Sequence, residues 1–128
     1  MNIEIMPFLR QVLEVGHDIS SIWLFGSRAN GTDTEKSDWD FIAFGSEGTL
    51  ERLQSATNLH RQDIDFMVVT NGIDFRNAWG PRLKSGSLKT WEWKILSEDL
   101  CEYMQSKEKA GHDFDVECTT KKAIRVWP

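Results

Sequence analysis

Cysteine is scarce in this 128-residue chain. Cys101 and Cys118 are the only two; they form no CxxC pair, and no Cys/His set has zinc-site spacing. Neither a disulfide framework nor a thiolate metal centre is expected, and both thiols should be reduced. Proline occurs three times, at Pro7, Pro81 and Pro128, and no Pro-rich or Gly/Ser-rich tract reads as a linker. No apolar run approaches the roughly 20 residues needed to cross a bilayer, so no membrane association is expected. The opening MNIEIMPFLRQ sets Glu4 among apolar residues without a basic leader, which argues against a secretory signal and for a cytoplasmic protein. Positive charge is not in excess either. Fifteen Lys/Arg against twenty Asp/Glu give −5, which excludes a surface built throughout to coat nucleic acid. The deficit lies in residues 1–64, with 5 basic and 10 acidic side chains; residues 65–128 carry 10 of each.

What is present is enough apolar material, 40% of residues, for one core. Phe8, Val12, Leu13 and Val15 fall at helical spacing within Pro7–Val15, and Gly16 is a stop. Ser21–Phe25 (SIWLF) reads as a buried strand, 27–36 as a loop with one helical turn, and Phe41–Phe44 as a second strand. Thr49–Ala56 is a helix with Ser46 or Thr49 as cap, and Asp63–Val69 (DIDFMVV) a third strand before the turn Thr70-Asn71-Gly72. This order gives an α/β (α+β) class. Further on, Asp74–Trp79 is expected to be helical, Thr90–Leu96 a strand and Glu98–Gln105 a short helix.

Asp38 and Asp40 are one residue apart, so in extended chain both project from one face. Two carboxylates this close repel unless a cation neutralises them, and hard divalent ions suit such oxygen clusters. Asp63 and Asp65 offer a third carboxylate from the next strand, which would complete the set that metal-assisted phosphoryl chemistry requires. Upstream, Gly26-Ser27 closes the first strand. Glycine permits close backbone approach, and the following N–H groups with the Ser27 hydroxyl can hold phosphate oxygens. Arg28 either adds charge to that cradle or anchors the loop.

Gly26-Ser27, ten intervening residues, then Asp38-x-Asp40 within LFGSRANGTDTEKSDWDFIAF resembles the signature of the DNA polymerase beta-like nucleotidyltransferase superfamily, its minimal nucleotidyltransferase type by size. The likeness covers about residues 20–70. It implies a nucleotidyltransferase fold, a small mixed β-sheet with helices packed mainly on one face. It implies one domain over residues 1–128, with 73–128 as its C-terminal extension. It further implies transfer of a nucleoside monophosphate from an NTP, ATP above all, to an acceptor hydroxyl by a two-metal mechanism with release of pyrophosphate. Asp38, Asp40 and Asp65, the last favoured over Asp63, would then bind two Mg²⁺ ions, or Mn²⁺. Gly26, Ser27 and Arg28 would bind the nucleotide. The acceptor could be a small molecule, a protein or an RNA. Trp39, where the family more often has a small aliphatic residue, should point away from the metals. The alternative is an antitoxin-like or binding module of the same fold that acts through a protein partner, for which the resemblance suggests a small helical protein. A metal-dependent phosphate-binding protein without turnover is a third possibility.

Single features carry less than the combination. An isolated Asp-x-Asp is usually a solvated edge or turn cap, and Ser27 could merely cap the turn. Between residues 76 and 94, Arg76, Arg82, Lys84, Lys89 and Lys94 face one acid, Glu92, with Trp79, Trp91 and Trp93 interleaved. That mixture fits a polyphosphate or nucleic-acid acceptor, or else a solvated face over buried tryptophans. His17, His60 and His112 share no ligand spacing, Lys107–Lys109 should be exposed, and Lys121-Lys122 is too short to indicate nucleic acid.

Overall fold

The computed structural model describes residues 5–82, 84–108 and 116–128, the side chains of 105–108 and 116–119 excepted. His112, the exposure of Lys107–Lys109 and the Cys118 thiol therefore lie outside the described residues; Cys101 is a free, buried thiol. The elements are α1 (Ile5–Val15), β1 (Ser21–Phe25), α2 (Ser27–Asn30), β2 (Trp39–Phe44), α3 (Glu47–Ser55), β3 (Ile64–Val69), β4 (Asp74–Asn77), β5 (Ser85–Ser87), β6 (Lys94–Ile95), β7 (Leu100–Glu108) and β8 (Val116–Trp127). The class is mixed α+β. Eight strands form one sheet in the order β5-β4-β3-β2-β1-β8-β7-β6, so it is not small. Among the described residues only β2 and β3 pair in parallel. The helix α3 provides the crossover between them, since parallel neighbours cannot be joined by a tight turn. Among the described residues no helix is long and apolar enough to cross a membrane.

Alternation along the strands divides the core in two. Ile22 and Leu24, Phe41 and Ala43, and Ile64, Phe66 and Val68 join the buried residues of α1 (Ile5, Phe8, Leu9, Val12) and of α3 (Leu50, Leu53). Trp23 and Phe25, Ile42, Met67 and Val69 instead join Phe75, Leu88, Cys101, Tyr103 and Ala123, with Trp91 and Trp93 packed against them. Pro7 is accommodated in α1 because the first-turn N–H groups have no intrahelical acceptor. The N-terminus of α3 carries a capping box of Ser46 and Thr49. Asp18 accepts hydrogen bonds from Ser46 Oγ, Thr49 Oγ1 and Arg52, and these, the Thr49 bond foremost, hold its carboxyl well below the usual carboxylate range.

Three expectations fail in the second half. Asp74–Trp79 is not helical: Asn71 Oδ1 accepts from the Ile73 and Asp74 N–H groups, shaping a turn that returns the chain as β4. Phe75 and Asn77 then point inward while Asp74 and Arg76 stay exposed. Thr90–Leu96 forms a strand only at Lys94–Ile95. The Trp91 N–H bonds to Ser87 O, the Trp93 N–H to Leu88 O, and Glu92 sits at φ 52, so the tryptophans are tucked in by a turn. Glu98–Gln105 is strand rather than helix, because β8 supplies a continuous ladder from Leu100↔Ile124 to Glu108↔Val116.

Candidate active site

The antiparallel β1–β2 register sets Phe25 opposite Asp40, and the parallel β2–β3 register sets Asp40 beside Asp65. Parity places both carboxylates on the sheet face of Phe25, Met67 and Tyr103, away from α1 and α3. Asp65 accepts a hydrogen bond from Lys84 Nζ at 2.9 Å. Asp63 is instead paired with Arg61 at 2.8 Å, its side chain half exposed. Burial, and after it the charges of Asp65 and Asp38, push the Asp40 carboxyl up to about 6. The hydrogen bond from Lys84 to Asp65, with that carboxylate's charge, raises the ammonium pKa in turn.

Gly26 is required where it stands. Its φ of 73 and ψ of −158 belong to a region only glycine occupies freely, and a Cβ there would run into Asp40 Oδ2. The β1–α2 turn can therefore lie directly against the carboxylate. The Gly26 N–H donates to the Tyr103 hydroxyl at 3.0 Å, and Asn30 ties the turn to β8 by donating to Gly26 O and Lys122 O and accepting from the Lys122 N–H. A cavity of about 510 Å³ is lined by Gly26, Ser27, Asp40, Asp65, Lys84 and Lys121, with Phe75 and Trp91 as its apolar wall. Asp38 opens instead onto an adjoining cavity, which shares Asp65 and Lys84 with the first.

Arg28 lines neither cavity. Its guanidinium donates to Ser37 O, pairs with Asp33 at 3.4 Å and lies 4.2 Å over the Trp39 ring, which leaves it holding the 31–38 loop. Trp39 is buried in the helix-side core, opposite Asp40.

Residues 8–78, more than half of the chain, match the family described as polymerase beta, nucleotidyltransferase. The chain belongs to that family. No curated protein and no solved structure matches it. Membership points to nucleotidyl transfer in general terms, and Gly26-Ser27, Asp38, Asp40 and Asp65 all fall within the matched stretch of this polymerase beta-like chain.

Among the described residues no three His, Cys, Asp or Glu side chains stand together as a ready-made metal site. The donor set nonetheless fits a hard divalent cation. Asp40 and Asp65 offer carboxylate oxygens side by side, Asp40 bears the electrostatic penalty of uncompensated charge, and the cation now at the cluster is the Lys84 ammonium. Sequence reasoning missed four residues of this candidate site: Lys84, Lys121, Tyr103 and Asn30. Lys84 carried a faint signal as one of five cations in the 76–94 stretch. Tyr103 carried none, because its role arises from a strand that pairs far along the chain.

Proposed function

We propose that this chain transfers a nucleoside monophosphate from a nucleoside triphosphate, ATP in the first instance, to an acceptor hydroxyl. The observation that carries the reading is the pairing of Asp40 with Asp65 in one cavity with the Gly26-Ser27 turn. The acceptor oxygen attacks the α-phosphorus as the bond to the β-phosphate breaks, and pyrophosphate leaves with that electron pair. Asp38, Asp40 and Asp65 would hold two Mg²⁺ ions, which when bound neutralise the triphosphate and favour ionisation of the acceptor hydroxyl.

The chain's own residues account for the rest. Ser27 binds a phosphate oxygen, and Lys121 neutralises charge on the polyphosphate from β8. Lys84 holds Asp65 Oδ2, which leaves Oδ1 to take the acceptor proton. Trp91 and Phe75 exclude water from the apolar wall. In this reading the helices occupy mainly one face of the sheet and the substrate the other. Acceleration comes chiefly from positioning and charge neutralisation, as expected for phosphoryl transfer.

The test is incubation with Mg²⁺ and α-labelled NTPs, with titration of Mg·ATP into the wild type and an Asp38→Asn/Asp40→Asn double variant. The reading expects Mg²⁺-dependent nucleotide binding that the double variant loses while still melting cooperatively. Normal Mg·ATP binding by that variant refutes the assigned roles, and absence of binding by the wild type refutes the function.

A further inference from the structure

The second cavity, about 740 Å³, reaches the carboxylates from the side of Asp38, and its wall includes His60, Gln62, Trp79 and Arg82. It shares Asp65 and Lys84 with the cavity of the Gly26-Ser27 turn, but neither Gly26, Ser27 nor Asp40 lines it. In-line displacement needs the attacking and leaving oxygens on opposite sides of the phosphorus. With the triphosphate at the glycine-serine turn, the adjoining cavity, which meets it at Asp65 and Lys84, gives the attacking hydroxyl a separate approach.

The walls describe what can occupy it. A volume of this order suits a small molecule. The Trp79 indole N–H is spent on Leu53 O at 2.7 Å, so the ring offers an apolar surface, and His60 lies nearly parallel to it at 26°. Asp38 and Asp65 are committed to cations under the reading above. Arg82 is exposed and pairs with no carboxylate among the described residues. The loop that bears it is prefixed by buried Asn77, whose Nδ2 donates to Trp79 O and Arg82 O and whose Oδ1 accepts from the Lys84 N–H. A preformed wall lowers the ordering cost of binding.

We propose that this cavity is the acceptor site and that the acceptor is a small hydroxyl-bearing anion of the sugar-phosphate class, its charged group held by Arg82. The inference rests on the nucleotidyl-transfer reading, and its test keeps the two apart. Ribose 5-phosphate, ribose and glucosamine are titrated calorimetrically into the full chain with Mg²⁺ present but without nucleotide, and Mg·ATP is titrated separately. Ribose 5-phosphate should bind at least about tenfold more tightly than ribose, the factor carried by one charge-assisted hydrogen bond, and Arg82→Ala should erase that preference. Ser27→Ala should weaken Mg·ATP binding more than sugar-phosphate binding, and Arg82→Ala the reverse.

Tighter binding of glucosamine, or a preference for ribose 5-phosphate that survives Arg82→Ala, overturns the proposal. So does loss of sugar-phosphate binding in Ser27→Ala alone, which would place the phosphate in the nucleotide cavity. Mg·ATP binding with no Arg82-dependent site leaves nucleotidyl transfer standing and removes this acceptor. An Arg82-dependent site in a wild type that binds no Mg·ATP removes nucleotidyl transfer and the acceptor role with it.

Discussion

Asp40→Asn should make the folded protein more stable at neutral pH. Folding places the Asp40 carboxylate at a half-buried position beside Asp65 and Asp38, and its pKa rises from 3.8 to about 6. At 1.36 kcal/mol per pKa unit the unscreened cost of keeping it ionised is roughly 3 kcal/mol. Asp40 lines an open cavity, so solvent screening reduces this to about 1–2 kcal/mol. The sign follows from linkage. A carboxyl whose folded pKa is raised contributes nothing unfavourable below about 4, loses stability as pH climbs from there, and has lost all of it above about 6. Asparagine keeps the shape and removes the charge. Circular-dichroism melts at pH 7.5 should show the variant roughly 3–8 °C above the wild type, with the gap closing steadily towards pH 4. Adding Mg²⁺ should raise the melting temperature of the wild type and leave the variant nearly unmoved. A variant that melts at or below the wild type at pH 7.5, or whose advantage is independent of pH, would refute the account of a charge held at a cost for the sake of a cation.

Gly26→Ala should cost at least about 1–3 kcal/mol in urea unfolding, because alanine is strained at φ 73, ψ −158 and its Cβ would displace the Asp40 carboxylate. Mg·ATP binding should fall with it. Asn77→Ala should cost about 2–4 kcal/mol, since it strips three hydrogen bonds from a side chain only 1% exposed, and amide exchange at Lys84 should accelerate. Asp18→Asn should lower the melting temperature at pH 7 and lose that effect in acid. The folded pKa of Asp18 is depressed, so its contribution is present above the unfolded value near 4 and fades as pH falls below it.

The half of the fold that builds the carboxylate pair was legible because its signals are local. SIWLF, FIAF and DIDFMVV each have the length and β-branched or aromatic content of a buried strand, and β1, β2 and β3 lie where those runs do. Asp65 was favoured over Asp63 through the family resemblance, whose strand aspartate sits between apolar residues as Asp65 does between Ile64 and Phe66; the parallel register then sets it beside Asp40. Beyond residue 72 the information is non-local. In β7, Cys101 and Tyr103 alternate with Glu102 in a run short enough to pass for a helix, until β8 is known to lie against it. Lys84 was one cation among five, and nothing in its sequence neighbours reveals that Asn77 holds its backbone at Asp65. Arg28 stood open between two roles, and its acceptors, the carbonyls of Ser37 and Thr34, are backbone groups that sequence does not distinguish.

The central strand β1 has one neighbour soon after it in the chain and the other, β8, about 100 residues later. On the ribosome, therefore, the three aspartates are synthesised long before the strand that carries Tyr103, and longer still before the strand that carries Lys121. Throughout that interval the edge of β1 has no partner, and an unpaired edge invites pairing with another nascent chain. Closing so distant a contact also slows folding. A prematurely terminated product that retains all three aspartates should consequently accumulate as aggregate and not as a smaller folded domain.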